Sequence, residues 1–154
     1  MLWNKSNFPF LDDVVEFELV RLVDVLRDII PSLNQVRVFG SYHKGGWVPP
    51  KSDVDVLALF NDERYSVDYG STDDGYGTIA GKNWKSVRRA VDERFQSEID
   101  FSIHLCTPGD VNHLWNYQER GKGRLGKSMM QGRLLYQVES GFSLKKLVFR
   151  RQTP

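Results

Sequence analysis

Apolar residues recur at three- and four-residue steps from Asp13 to Ile30, at Val15, Leu19, Leu22, Leu26 and Ile29, which predicts a helix with one buried face. Asp13, with Glu16 three residues on, has the spacing of an acidic capping box, and Pro31 stops the helix. The pattern then changes to short β-prone runs. Val36-Arg37-Val38-Phe39-Gly40-Ser41 predicts one strand and Ser52 to Phe60 a second. The Gly/Pro-rich loop Tyr42 to Lys51 joins them, which makes them antiparallel neighbours. Asn61 to Lys82, rich in Gly, Asp, Ser and Tyr, reads as a long loop.

Trp84, Val87, Val91 and Phe95 predict a second helix, with Lys85, Arg88, Arg89 and Arg94 on its other faces. From Glu98 to Leu105 the alternation is strict, with Ile99, Phe101, Ile103 and Leu105 on one face of a half-buried strand. Thr107-Pro108-Gly109-Asp110 is a turn that opens a helix towards Asn116. After the Gly/Lys/Arg-rich stretch Gly121–Lys127, Met129 to Tyr136 fits a short helix or a strand. The order helix, strand, strand, helix, strand and mixed elements places the chain in the α/β (α+β) class. Its 154 residues suit one domain, 1–154.

Composition narrows the class. The chain is 40% hydrophobic and 27% charged, a globular make-up that excludes wholesale disorder. A single cysteine, Cys106, can form no internal bridge and reads as a packed residue. No apolar run approaches the ~20 residues that span a bilayer, and the N-terminus lacks the pattern of a secretory signal. A soluble, cytoplasmic protein without a membrane partner is expected.

The net charge of +1 conceals an asymmetry. Residues 1–77 hold 7 Lys/Arg against 13 Asp/Glu, and residues 78–154 hold 14 against 7. From Arg120 onward, 9 basic residues face only Glu139. That region suits an anionic ligand, RNA or an acidic partner, and equally a solvated tail. No aromatic-interleaved motif supports sequence-specific nucleic-acid recognition.

The pattern is broken most sharply at Asp53 and Asp55, two carboxylates at i and i+2 in an apolar strand. Period-2 geometry sends both to one face, where they repel and need compensation by water, basic side chains or a divalent cation. A hard cation such as Mg²⁺ takes oxygen ligands of this kind together with substrate phosphates. Asp100 is a third acid on the later strand. If that strand lies beside the pair, the carboxylates suffice for two metal ions. Gly40-Ser41, ending the preceding strand, can approach a phosphate closely, and Lys44 and Lys51 lie in the loop beyond. His43, His104 and His113 lack the spacing and company of zinc ligands. Trp47 reads as an aromatic that tucks the loop onto the core.

The stretch Val38-Phe39-Gly40-Ser41, followed by Ser52-Asp53-Val54-Asp55-Val56 with an eleven-residue spacer between Ser41 and Asp53, resembles the signature of the DNA polymerase beta-like nucleotidyltransferase superfamily. The small size and the late Gly132-Arg133-Leu134-Leu135-Tyr136 are most similar to its minimal, single-domain members. The spacer is one residue longer than the commonest in that group, and the 61–82 segment is also longer. The resemblance implies the nucleotidyltransferase fold, a small mixed sheet with flanking helices. It implies that Asp53, Asp55 and Asp100 bind two Mg²⁺ ions and serve catalysis, and that Gly40 and Ser41 meet the nucleotide; Lys44, in the loop beyond, is read as a nucleotide-binding point charge.

The implied reaction transfers a nucleoside monophosphate, AMP from ATP on family grounds, to a hydroxyl acceptor. In the minimal members the acceptor is often a tyrosine of a HEPN-domain toxin, and the nucleotidyltransferase is the antitoxin. Small-molecule acceptors, as in aminoglycoside-modifying relatives, and a non-catalytic partner-binding module are the alternatives. Acceptor, nucleotide preference, oligomeric state and the roles of the 61–82 loop and the basic C-terminal region are left open by the sequence.

Overall fold

The computed structural model describes residues 11–49, 52–61, 82–111 and 123–138, the side chains of 82–84 and 123–125 excepted. The elements are α1 (Leu11–Ile29), β1 (Leu33–Phe39), α2 (Gly40–Lys44), β2 (Val54–Phe60), α3 (Lys82–Arg94), β3 (Phe101–Cys106), α4 (Gly123–Met130) and β4 (Arg133–Gln137). The sheet is mixed, in the order β3-β2-β1-β4. β1 runs antiparallel to both β2 and β4, whereas β2 and β3 are parallel. The α/β class and the antiparallel first pair therefore match the expectation. Among the described residues, no helix is long and apolar enough to cross a membrane.

Each strand presents one residue set to each face of the sheet. Val36, Val38, Val54, Val56, Ala58, Phe60, Ile103 and Leu105 form the larger core with Leu11, Val15, Leu19, Leu22 and Leu26 of α1 and Val91 of α3. The apolar stripe read in the sequence is thus the buried face of α1. Arg94 of α3 pairs with Asp28 of α1 at 2.6 Å, and Arg21 of α1 lies 4.3 Å over the Phe95 ring. The opposite face of the sheet holds a smaller cluster of Phe39, Leu57, Leu59 and Cys106 with Val111 and Met129. Towards the end where Phe39 pairs with Asp55, this face also carries polar residues.

Four local expectations need correction. α1 already runs from Leu11, whose buried side chain extends the stripe by one turn, so Asp13 lies inside the first turn and is not the cap. The segment after β1, read as loop, begins with the five-residue helix α2, which Gly45 ends in the left-handed conformation. Part of the Gly/Lys/Arg-rich stretch, from Gly123, is helical in α4. Met129 to Tyr136 is neither wholly helix nor wholly strand: α4 ends at Met130, and β4 starts at Arg133. The turn at Thr107 does open a helix at 108–111. The reading of 62–81 as loop, and of the helix beyond 111, lies outside the described residues, as does the basic region beyond 138.

Gly132 explains the break before β4. A Cβ there would overlap the Val38 carbonyl oxygen and press on Phe39, so only glycine lets this turn approach β1. Gly132→Ala is expected to destabilise the chain by about 1–3 kcal/mol, the usual cost of overpacking against backbone. Urea unfolding at constant m checks it, and an unchanged midpoint contradicts the close approach.

Candidate active site

The polar end of the second sheet face is built from β1, β2 and β3 in register. Phe39 pairs with Asp55 across β1 and β2, and Asp55 pairs with Ser102 across β2 and β3. Asp53 precedes β2 and Asp100 precedes β3. The ladder nevertheless reaches them, because Val54 N–H donates to the Asp100 carbonyl at 2.8 Å. Period-2 geometry then gives Asp53, Asp55, Asp100, Ser102 and His104 a common face, continued by Leu57, Leu59 and Cys106 into the apolar cluster.

Gly40 fixes the near wall. It follows Phe39 with φ +73°, a conformation that L side chains rarely adopt. A Cβ at Gly40 would also overlap the Asp55 carboxylate at Oδ2. Two independent constraints therefore require glycine here, and together they bring the Gly40-Ser41 turn against Asp55. Ser41 stands in α2, half-buried, and Lys44 lies exposed in the last turn of the same helix. Lys51 lies outside the described residues.

The three acids differ in environment. Asp55 is partly enclosed, its side chain 29% exposed, with Oδ1 3.7 Å from His104 Nε2. Asp53 and Asp100 are exposed. Their placement joins the two short elements of the signature to the third acid on one face. Among the described residues, however, no group of three or more His, Cys, Asp or Glu is gathered as a metal cluster. The donors available are carboxylate oxygens, the set a hard divalent cation prefers; one or two of them, completed by substrate phosphates, match Mg²⁺ chemistry. The fit is thus one of donor type and shared face.

His104 and Ser102 are the site residues that the sequence reading set aside or passed over. Ser102 Oγ lies 3.3 Å from His104 Nε2, and the imidazole stacks obliquely on Phe39 with ring centroids 5.3 Å apart. The sequence spacing of His104 speaks only to zinc ligation, which it does not fit. The useful signal was the strict alternation from Glu98 to Leu105, which places Asp100, Ser102 and His104 together opposite the apolar residues.

Cys106 closes the buried end of this face. Burial, and secondarily Asp110, pushes its thiol well above the ordinary value. Native chain is expected to leave Cys106 unmodified by a thiol reagent at pH 8 and to react after unfolding; rapid native labelling contradicts the packing. The unfolded thiol ionises near pH 8.5 while the folded one stays protonated, so this contribution is complete below that pH and declines above it.

The nucleotidyltransferase domain family matches residues 19–104, from within α1 to His104 of β3. No curated protein matches the chain. Among solved structures, a candidate nucleotidyltransferase from Sulfolobus solfataricus is similar, with 18% identity over 82% of this chain and 84% of that one, at a TM-score of 0.42. The family match spans more than half of the sequence and contains Gly40, Ser41, Asp53, Asp55 and Asp100: the chain belongs to the nucleotidyltransferase domain family, and it is a nucleotidyltransferase.

Proposed function

We propose that residues 1–154 act as one Mg²⁺-dependent nucleotidyltransferase domain that moves AMP from ATP to a hydroxyl acceptor. The observation that carries this reading is the Gly40–Asp55 contact. It joins the Gly-Ser turn to the carboxylate strand where a bulkier residue could not stand. In the proposed site Gly40, Ser41 and Lys44 meet the triphosphate. Asp53, Asp55 and Asp100 hold the divalent ions, two in the family arrangement. When bound, such ions neutralise phosphate charge and lower the pKa of the attacking hydroxyl.

The chain's own part is positioning and proton transfer. The Gly40 backbone admits the Asp55 carboxylate against the turn, and the Ser41 hydroxyl and N–H donate to the triphosphate oxygens. The acceptor oxygen forms a bond to the α-phosphorus. The bond from that phosphorus to the bridging oxygen breaks, and pyrophosphate leaves with the electron pair. Asp100, exposed just before β3, accepts the hydroxyl proton. His104 stands 3.7 Å from the Asp55 carboxylate on the adjacent strand.

For the acceptor we favour a tyrosine hydroxyl on a partner protein, with the chain acting as a cytoplasmic antitoxin towards a HEPN-domain toxin. The support is the family resemblance of the small Gly-Ser/Asp-x-Asp core. Incubation of the purified chain with Mg²⁺ and α-labelled ATP, GTP, CTP or UTP in host lysate tests this. Label from ATP on a protein band supports the reading. Label on small molecules alone assigns the aminoglycoside-like alternative. Absence of any transfer, with wild-type chain that is folded, favours the non-catalytic module.

A further inference from the structure

The Gly-Ser turn is held from behind by residues that no part of the proposed chemistry uses. Tyr42 follows Ser41 in α2, and its hydroxyl donates to Glu16 Oε2 of α1 at 3.1 Å. Arg133, the first residue of β4, donates to the same carboxylate at 2.7 Å. The Tyr42 ring meets Trp47 edge-on, with centroids 5.2 Å apart and planes at 81°. Trp47 is buried, and its Nε1–H donates to the Ser52 carbonyl at 2.8 Å. Ser52 is the residue before Asp53. The contacts therefore form an unbroken series from β4 through α1 and α2 to the entry of β2, with Tyr42 at its centre.

From this series we infer that Tyr42 and Glu16 are positioning residues, which set the distance between the Gly40-Ser41 turn and the Asp53 carboxylate. The inference rests on the proposed reading of that corner as the nucleotide site. Glu16 and Arg133 are each nearly half exposed, so their pairing contributes little to global stability. What the pair supplies is direction: it leaves Glu16 one fixed place from which to accept the Tyr42 hydroxyl. Burial, and then the neighbouring Glu16 charge, push the Tyr42 hydroxyl well above its ordinary value, so it stays a donor throughout the neutral range. The T-shaped ring contact transmits that placement to Trp47, and the indole bond transmits it to Ser52. Loss of the hydroxyl alone frees α2 to pivot at Gly40 and at the left-handed Gly45.

Three backbone bonds report on this corner directly. Gly45 N–H donates to Tyr42 O, Gly46 N–H to Ser41 O, and Ser52 N–H to Val48 O. Tyr42→Phe keeps the ring contact and removes only the hydroxyl. Hydrogen exchange on the ligand-free chain is expected to quicken at these three amides by about fivefold, the scale of one lost hydrogen bond. Amides of β1 and β2 should keep their rates, and the melting temperature should shift by no more than about 3 °C. Glu16→Ala should give the same pattern, and the double variant should fall well short of the sum of the two, because both remove the Tyr42–Glu16 bond. Binding of a non-hydrolysable ATP analogue with Mg²⁺ should weaken about fivefold in each variant.

Unchanged exchange at Gly45, Gly46 and Ser52, additive effects in the double variant, or uniform acceleration across the sheet each overturns the inference. A wild-type chain that binds no nucleotide overturns the reading of the site instead. In that case exchange at the three amides still decides whether Tyr42 and Glu16 hold the corner.

Discussion

Asp55→Asn is expected to lower nucleotidyl transfer by at least about 10²-fold, the scale seen when one electrostatic contact to the reacting group is removed, while the chain stays folded. The substitution keeps the shape of the side chain and deletes its charge. Asp55 stands between the two halves of the site: Oδ2 faces the Gly40 backbone, and Oδ1 faces His104. No basic side chain other than His104 pairs with it among the described residues, so the fold gains little from its charge. Loss of one carboxylate from the Asp53/Asp55 pair also relieves like-charge repulsion on that face. The melting temperature should therefore hold or rise as activity collapses. Initial rates beside thermal unfolding check this, and a variant that retains near wild-type rates removes Asp55 from the chemistry.

The second large effect belongs to Gly40→Ala, and Gly45→Ala is its control. Both glycines have positive φ, +73° and +86°. An L residue pays about 1–2 kcal/mol for that conformation, or roughly 2–8 °C in melting temperature for a chain of this length. The surroundings differ. A Cβ at Gly45 meets nothing within 4 Å, whereas one at Gly40 overlaps the Asp55 carboxylate. Gly45→Ala should thus lose stability and keep most of its activity. Gly40→Ala should lose similar or greater stability and also about 10²-fold in rate, because the carboxylate must move. Equal activity in the two variants contradicts the contact. A fall in rate confined to Gly45→Ala does so as well.

Legibility of the fold in the sequence followed the length of each pattern. The Val15-Leu19-Leu22-Leu26 stripe spans several turns, and it proved to be the buried face of α1. Alternation over Ile99-Phe101-Ile103-Leu105 gave β3 in the same way. α2 was missed because five residues, Gly40 to Lys44, are too few for a period to declare itself. The division of Met129–Tyr136 was missed because it depends on Gly132 meeting the Val38 carbonyl, a contact 94 positions distant in the chain. Glu16 was misassigned for a related reason. Its spacing from Asp13 fits a capping box, yet its partners are Tyr42 and Arg133, which only the tertiary fold brings near.

The candidate site was more legible than its supports. Asp53 and Asp55 announce themselves because two charges interrupt an apolar strand, and Gly40-Ser41 because a strand ends there in a residue pair suited to close approach. His104, Tyr42 and Trp47 carry no such signal. A histidine on a half-buried strand and aromatics in a loop acquire meaning only from neighbours that the sequence does not name.

The central claim is that the Gly40-Ser41 turn and the Asp53/Asp55 strand form one cation-dependent triphosphate site. The most direct test is calorimetric titration of a non-hydrolysable ATP analogue into the wild-type chain and into Asp53→Asn/Asp55→Asn, each with Mg²⁺ and with chelator. Saturable binding by wild type in Mg²⁺, lost both in chelator and in the double variant, is the predicted result. The claim is contradicted if wild type binds no analogue, or binds it equally well in all four conditions.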